Sequence, residues 1–291
     1  MKRTARVILI AALLAALLAG CGSPFARTPV ATADPYAGMV EVESGFGTKM
    51  WVTRHEELEE SAFLGWSRLD AVPEGYAVFA GVDVSEHQGE IDWAAVASDG
   101  IDFAIIRAGY RGYGERGTLV EDARFRENMA GALDAGLDVG VYFFSQAVSE
   151  DEAAEEAAFL LSLMEDYPAE TLALPVFFDW EDISHDDART DGLDGETVTA
   201  CAEVFCARLA EAGYRPGIYG YRYLAYFSYD LPRLRDTALW VGAIGASSDF
   251  YYAHEFWQNA VIEGVKGIRG AVDRDYWFKP LEAPQPEQEE T

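Results

Sequence analysis

The feature that most constrains the fold is a regular alternation of apolar strand-like runs and helical patterns that begins at Tyr76. The strand-like runs lie at residues 77–84, 103–107, 139–144, 174–178, 217–220, 239–241, 255–258 and 270–272. Helical patterns intervene at residues 122–135, 150–164 and 195–212. This alternation predicts parallel strand pairing and an α/β fold. About eight strands in roughly 200 residues favour an irregular TIM-like β/α barrel over an open doubly wound sheet.

The segments on either side of this region, which spans residues 76–279, have a different character. Residues 39–43 alternate like a strand, and residues 49–53 are the expected partner, with Gly45 and Gly47 in the turn. Residues 39–75 are therefore predicted to form a small β appendage, whose role the sequence does not indicate. Residues 280–291 contain several prolines and a run of glutamates, which predicts a disordered acidic tail.

The N-terminal residues predict the cellular location of the protein. Lys2, Arg3 and Arg6 precede an apolar run at residues 7–18, which has the length of a signal-peptide core and is too short to span a bilayer. Residues 18–21, LAGC, resemble the lipobox of bacterial lipoproteins. This implies removal of residues 1–20 and lipidation of Cys21, with residues 21–38 as a proline-containing tether. The alternative is an ordinary secretory signal, and both predict an extracytoplasmic protein.

The net charge disfavours some binding partners, and the cysteine content argues against stabilisation of the fold by disulfides. The formal net charge is −28, so the surface repels nucleic acid, and we expect contact with the membrane only through the lipid. Cys201 and Cys206 are five residues apart in a predicted helix and point to different faces. They are therefore predicted to be buried, unpaired thiols.

Several carboxylates follow predicted strands. Asp83 ends the first strand of the alternating region, Asp179 and Glu181 follow an apolar run, and Asp273 and Asp275 are predicted at the end of the last strand. Asp179 and Glu181 are two residues apart, so an extended backbone points both to one face. Barrel enzymes place their chemistry at the carboxyl ends of the strands. Each acid alone could be a loop residue or a helix cap, but together they predict an active site.

Several short motifs, each occurring once, are distributed between residues 81 and 278. They are GVDVSEHQG at 81–89, IDW at 91–93, FAIIR at 103–107, GVYFF at 140–144, FDWE at 178–181, GIY at 217–219, WQ at 257–258 and GIRGAVD at 267–273. Together they resemble the motifs of glycoside hydrolase family 25. Residues 240–244 and the pair Arg274-Asp275 depart from the family pattern, and these departures concern the outer substrate contacts.

The resemblance implies a cofactor-free and metal-free lysozyme that cleaves the β-1,4 bond between N-acetylmuramic acid and N-acetylglucosamine in peptidoglycan. By matching positions, Glu181 would be the proton donor. Asp179 would stabilise positive charge by orienting the acetamido group of the substrate, and Asp83 and Asp273 would complete the acidic set. Clustered carboxylates cannot all ionise cheaply, which raises the pKa of at least one. Two close carboxyls favour retention, whereas inversion needs a wider gap.

Five further residues are predicted to contact the glycan: Tyr142, Arg107, Tyr219, Gln258 and Asp275. Aromatic faces suit the apolar faces of sugars, and Trp240 and Trp257 share this property, but each of these aromatic residues is also a candidate for the core. Arg107 is expected at a strand end, where it either contacts the acidic cluster or substrate or forms a structural ion pair.

Two weaker signals do not support other functions. Residues 112–117 match G-x-G-x-x-G, but they neither open the domain nor lead directly into a helix, so we predict a loop near the barrel mouth. The four histidines lack the spacing of metal ligands.

Two rival functions remain open at this point. One is a non-catalytic lipoprotein that binds peptidoglycan, and the other is a glycosidase for different acetamido-sugar polymers, since one barrel fold hosts many chemistries. We expect a monomer in each case.

Overall fold

The computed structural model describes residues 34–45, 47–183 and 187–281. The predicted signal peptide, Cys21 and most of the predicted tether and tail lie outside these residues. The chain divides into residues 1–37 and residues 38–291, and the following description concerns the second unit. Among the described residues, no helix combines the length and the apolar character needed to cross a bilayer.

The unit begins with a hairpin of β1 (Met39–Glu43) and β2 (Lys49–Thr53), which pair antiparallel. These two strands were predicted from their alternating pattern. Gly45 and Gly47 both have positive φ angles, of 87° and 70°, which suits glycine in the connecting turn.

Eight of the next nine strands close into a barrel in the order β3–β4–β6–β7–β8–β9–β10–β11 and back to β3. They are β3 (Tyr76–Val84), β4 (Phe103–Arg111), β6 (Asp138–Ser145), β7 (Val176–Trp180), β8 (Pro216–Tyr221), β9 (Ala238–Gly242), β10 (Phe256–Glu263) and β11 (Ala271–Pro280). The remaining strand, β5 (Leu119–Glu121), pairs antiparallel with the end of β4. The prediction of an α/β fold with a closed barrel is thus confirmed.

Helices connect the strands in the first part of the barrel. They are α1 (Trp93–Ser98), α2 (Phe125–Asp134), α3 (Glu150–Leu163), α4 (Gly195–Glu211) and α5 (Arg222–Phe227). Asp92, Ser149 and Asp194 cap α1, α3 and α4 by accepting a backbone N–H with their side chains. Cys201 and Cys206 on α4 are buried and unpaired, as predicted. No helix follows β9 or β10, whose connections are fully described.

The last strand differs from its prediction. A strand at 270–272 was expected to end at Asp273 and Asp275, but β11 begins at Ala271 and contains both acids near its start. β11 runs antiparallel to both β10 and β3, so its first residues lie at the same barrel edge as the last residues of the parallel strands. The strand also extends to Pro280, and the Leu281 N–H donates to the Gly75 carbonyl (2.7 Å), so the strand passes the predicted tail boundary.

The residues after β2 cover the barrel where helices are missing. The ring of Phe63 stacks on Phe278 of β11, with centroids 3.7 Å apart. Trp66 packs edge-on against Trp257 of β10 (6.3 Å) and Tyr276 of β11 (5.8 Å). This segment therefore buries the outer apolar face of β10 and β11, as a connecting helix would do elsewhere in the barrel.

The interior of the barrel changes in character from one end to the other. One end is filled by buried aromatic side chains, Phe103, Phe177, Phe256 and Trp277. Gly81 faces the same interior, where a Cβ atom would lie only 2.3 Å from the Phe103 ring, so a glycine is required there. Inward-facing residues at the other end are largely polar, and they form the site described next.

Candidate active site

A cleft of about 220 Å³ opens at the barrel mouth where the carboxyl ends of the parallel strands meet. Asp83, Asp179, Glu181 and Asp273 all line it. A larger cavity of about 300 Å³ lies beside residues 57–59, but the acidic residues that line it are exposed on the surface. Of these two cavities, only the one at the mouth is lined by buried acids, Asp83 and Asp179.

Strand register explains how the acids meet. Asp83 of β3 is the direct partner of Asp273 on antiparallel β11. Asp275, two residues further along β11, is the partner of Gln258 on β10 and faces inward as well. Asp179 lies two residues after the inward-facing Phe177, so the alternation of β7 points its carboxyl into the cleft. All the acids that were predicted for the site, including the two misplaced on the last strand, thus meet at one edge.

Hydrogen bonds fix the deeper part of the cleft. The Tyr219 hydroxyl donates to Gln258 Oε1 (2.8 Å), and Gln258 Nε2 donates to Asp83 Oδ2 (2.7 Å). On the other side, Trp240 Nε1 donates to Asp275 Oδ1 (2.8 Å). Burial, and then the charge of nearby Asp83, raise the pKa of Asp275.

The environment raises the pKa of every carboxyl in the cluster. Burial, and then the charge of Asp273, raise the pKa of Glu181 to about 7 and that of Asp83 to about 7. Burial is also the largest cause of the raised pKa of Asp273, and it raises the pKa of Asp275 well above its ordinary value. The cluster therefore retains protons at neutral pH, and Glu181 is available as an acid.

Asp179 is the least satisfied member of the cluster. Its side chain is buried, with 4% of the residue exposed, and Oδ1 has no hydrogen-bond partner among the described residues. Burial raises its pKa well above the ordinary value, with further contributions from the charges of Glu181 and Asp83. A buried oxygen without a donor is costly, so this carboxyl is suited to accept a hydrogen bond from a ligand.

Arg107 forms a structural ion pair and also lines the cleft. Its Nε donates to Asp122 Oδ2 (2.7 Å), and Nη2 lies 3.3 Å from Glu86 Oε1. It makes no described hydrogen bond to the acidic cluster, but its positive charge lowers the pKa of Asp179 and so opposes the larger effect of burial. Arg107 therefore forms a structural ion pair and still lies where it can contact substrate.

Three of the four aromatic candidates line the cleft. The ring of Trp240 lies 4.6 Å from that of Tyr219 and 6.0 Å from that of Tyr142. The suggestion that Trp257 offers a sugar-stacking face is wrong, because the inward direction of Gln258 turns the preceding residue outward. Trp257 packs beneath the segment after β2, and its Nε1 donates to the Ala243 carbonyl (2.8 Å).

Several lining residues were not among the predicted site residues. They are Ser85, Gln88, Phe144 and Tyr221. The alternation of strands could have identified Phe144 and Tyr221, since each lies two residues after a predicted contact, Tyr142 or Tyr219. Across the described part of the chain, no group of three or more His, Cys, Asp or Glu side chains is arranged to hold a metal ion.

Gln146 was also missed, and it holds the backbone at Glu181. Its Nε2 donates to the Glu181 carbonyl (3.0 Å), and its Oε1 accepts from the Thr190 hydroxyl (2.9 Å). The residue is fully buried directly after β6. These bonds link the end of β6 to the loop that follows β7, and thereby fix the position of Glu181.

Comparisons with known proteins agree with this arrangement. Lysozyme M1 of Streptomyces globisporus is 27% identical over 94% of this chain and 90% of its own. The solved lysozyme of Streptomyces coelicolor is 25% identical, with a TM-score of 0.57 over 68% of this chain and 91% of its own. The modular autolysin LytC of Streptococcus pneumoniae, solved with a synthetic peptidoglycan ligand, shares the fold at 23% identity, with a TM-score of 0.59 over 82% of this chain and 56% of its own.

The family comparison covers the site. The sequence model described as Glycosyl hydrolases family 25 matches residues 82–268, more than half of the chain and nearly the whole barrel. The matched span contains Asp83, Asp179 and Glu181, whereas Asp273 and Asp275 lie just beyond it. On this match, the chain is a member of glycosyl hydrolase family 25.

Proposed function

We propose that this protein is a lysozyme that hydrolyses the β-1,4 bond between N-acetylmuramic acid and N-acetylglucosamine in peptidoglycan. The observation that carries this proposal is the pair of Glu181 and Asp179 in one cleft, with the pKa of Glu181 raised to about 7. Membership of a glycosyl hydrolase family and two relatives named lysozymes support it. A raised carboxyl pKa is what a general acid needs near neutral pH.

Glu181 acts as the proton donor. Its carboxyl protonates the glycosidic oxygen as the bond from that oxygen to the anomeric carbon breaks, which leaves Glu181 as a carboxylate. The same carboxylate then takes a proton from the water that attacks the anomeric carbon. Burial, and then the negative charge of Asp273, raise the pKa of Glu181 and thus favour the protonated state that the first step requires.

Asp179 acts on the substrate's acetamido group. Its unpartnered Oδ1 accepts the acetamido N–H and orients the acetamido oxygen toward the anomeric carbon, where positive charge develops. Attack by that oxygen on one face forms a bond to the anomeric carbon. Attack of water on the other face breaks this bond and restores the acetamido group, so the anomeric configuration is retained. Asp83 holds the cleft floor through its hydrogen bond with Gln258, and Asp275 does so through its hydrogen bond with Trp240. The sugars contact these four residues together with Tyr142, Tyr219 and Arg107.

The proposed setting of the enzyme follows from the sequence. Residues 1–20 are a signal peptide, Cys21 carries the lipid anchor, and residues 21–38 are a tether that holds the enzyme outside the membrane of a bacterium. Residues 39–75 are an appendage that packs on the barrel, residues 76–279 form a TIM-like catalytic barrel, and residues 280–291 are an acidic tail. The enzyme acts as a monomer without a cofactor.

Digestion of purified peptidoglycan, with mass analysis of the new ends, tests this function. The protein should release fragments with reducing N-acetylmuramic acid ends, and Glu181→Gln should abolish the release. Glu165→Gln, an exposed glutamate outside the site, is the matched control. Reducing N-acetylglucosamine ends, or faster cleavage of chitin oligomers, would indicate a different glycosidase. Intact glycan that still binds the protein would indicate a binding lipoprotein.

A further inference from the structure

The short helix α5, which directly follows β8, is fixed to the barrel along one side. Arg222 forms an ion pair with Asp249, in which Nε donates to Oδ1 at 2.9 Å. The Tyr226 hydroxyl accepts the Tyr251 N–H (2.7 Å), and the Tyr226 ring stacks on Phe250 with centroids 4.4 Å apart. These contacts set the direction in which the opposite side of the helix faces.

The opposite side presents two exposed aromatic rings. Tyr223 is 65% exposed and Phe227 is 48% exposed. They are four residues apart on the helix, which places them on one face, and their ring centroids are 4.6 Å apart. Large aromatic side chains in contact with each other and with water typically mark a binding surface.

The aromatic pair closely follows, in the sequence, a residue of the cleft wall. Tyr221, immediately before α5, lines the cleft, and its ring lies 5.6 Å from that of Tyr219. Of the five aromatic side chains that are strongly exposed in the described residues, three lie within residues 221–227. Exposed aromatic surface is therefore concentrated at one side of the mouth.

The size of the cleft shows that a polymeric substrate must extend beyond it. A cleft of about 220 Å³ is smaller than the pockets that enclose a drug-sized ligand, which range from about 300 to 1,000 Å³. Several linked sugars do not fit inside it, so the strand must continue over the rim. A neutral sugar face also suits an aromatic surface on a protein of net charge −28, which disfavours anionic partners.

We propose that Tyr223 and Phe227 form a stacking platform for a further N-acetyl sugar of the glycan strand, outside the cleft. This inference rests on the proposed function, because it assumes that the cleft binds the same strand. The platform would bind long strands without touching the reacting bond. It therefore contributes to substrate affinity and not to the rate of bond cleavage.

The test compares the full chain with the double variant Tyr223→Ala/Phe227→Ala on long glycan strands and on a tetrasaccharide. The variant should raise KM for long strands about tenfold, equivalent to about 1.4 kcal/mol, and leave kcat unchanged, because only the stacking on one sugar is lost. Neither KM nor kcat for the tetrasaccharide should change. Tyr223→Phe with Phe227→Tyr should behave like the wild type, and so should the control Leu69→Ala, which removes an 87% exposed apolar side chain elsewhere.

Three outcomes would overturn the platform: an unchanged KM on long strands, an equal loss on both substrates, or a wild-type dimer that the double variant abolishes in sedimentation. The dissociation constant for uncleaved long strands separates this inference from the proposed function. If the wild type cleaves nothing but binds strands about tenfold more tightly than the double variant, the platform stands and the lysozyme function fails. If the wild type cleaves and the two proteins bind equally, the platform fails.

Discussion

Two buried aspartates of this barrel have opposite environments. Asp122, 2% exposed, accepts three hydrogen bonds, from Arg107 Nε (2.7 Å), the Glu86 N–H (3.0 Å) and the Arg124 N–H (2.9 Å). Asp179, 4% exposed, has an oxygen without any partner in the described residues. The two carboxyls are similarly removed from water, but only Asp122 has protein hydrogen bonds that offset the loss of hydration.

The surroundings of Asp179 increase this difference. Its nearest charged neighbours include two acids, Glu181 and Asp83, and both raise its pKa. A buried carboxylate that is fully hydrogen-bonded can support a fold, whereas an uncompensated one lowers stability. The comparison indicates that Asp122 serves the structure, and that the mouth acids are retained for chemistry at a cost in stability.

The largest expected effect is on catalysis at the uncompensated site. Asp179→Asn should lower kcat on peptidoglycan about 10³-fold, equivalent to about 4 kcal/mol, because the amide carries no charge to stabilise the transition state. The free energy of unfolding at pH 8 should stay the same or increase, since a costly buried charge is removed. Urea denaturation beside the activity assay measures both, and a substantial loss of stability would contradict the comparison.

The opposite result is expected at the compensated site. Asp122→Asn should lower the free energy of unfolding by about 3 kcal/mol, because it leaves the charge of Arg107 without its main partner. Urea denaturation measures this loss. Glu86→Gln is the control, because its 3.3 Å contact with Arg107 is more exposed and should contribute less than about 1 kcal/mol. Equal losses in the two variants would show that Asp122 has no special role.

The pH dependence of stability separates the two sites further. The raised pKa of Asp179 means that the folded protein keeps a proton that the unfolded chain releases above about pH 4. This contribution to stability is present at low pH and is lost as pH rises toward the folded pKa. The advantage of Asp179→Asn over the wild type should therefore grow between pH 5 and pH 8. A pH-independent difference would contradict the raised pKa.

A smaller effect is expected behind Glu181. Gln146→Ala removes the hydrogen bond to the Glu181 carbonyl and should lower kcat about tenfold with little change in KM. The pH–rate profile should shift as well, because a displaced Glu181 has a different environment. Thr190→Val removes only the bond to Gln146 and should have the weaker effect. An unchanged profile in Gln146→Ala would assign the residue to stability alone.

Strand alternation made much of the site predictable. Asp83, Asp179 and Glu181 follow apolar strands whose period of two fixes the face of each side chain. The same rule places Trp257 outside once Gln258 is known to face inward, but the sequence alone does not decide which of two neighbours is inside. The antiparallel direction of β11 was missed for a related reason, since a short apolar run carries no information on strand direction.

Other features depend on contacts that no local pattern encodes. Phe63 and Trp66 pack on β10 and β11, but their segment has neither helical nor strand periodicity. The bond from Gln146 to the Glu181 carbonyl joins two loops 35 residues apart in sequence. Such contacts arise from the closure of the barrel, which brings distant strand ends to one edge.

The most direct test of the central claim is a carboxyl ¹³C NMR titration of the Glu181 side chain. The resonance is assigned by its absence in Glu181→Gln. Burial and the charge of Asp273 predict a midpoint at about pH 7, so that Glu181 holds its proton near neutrality. A midpoint near the ordinary glutamate value of about 4.3 would contradict the claim that the barrel mouth keeps this carboxyl as an acid.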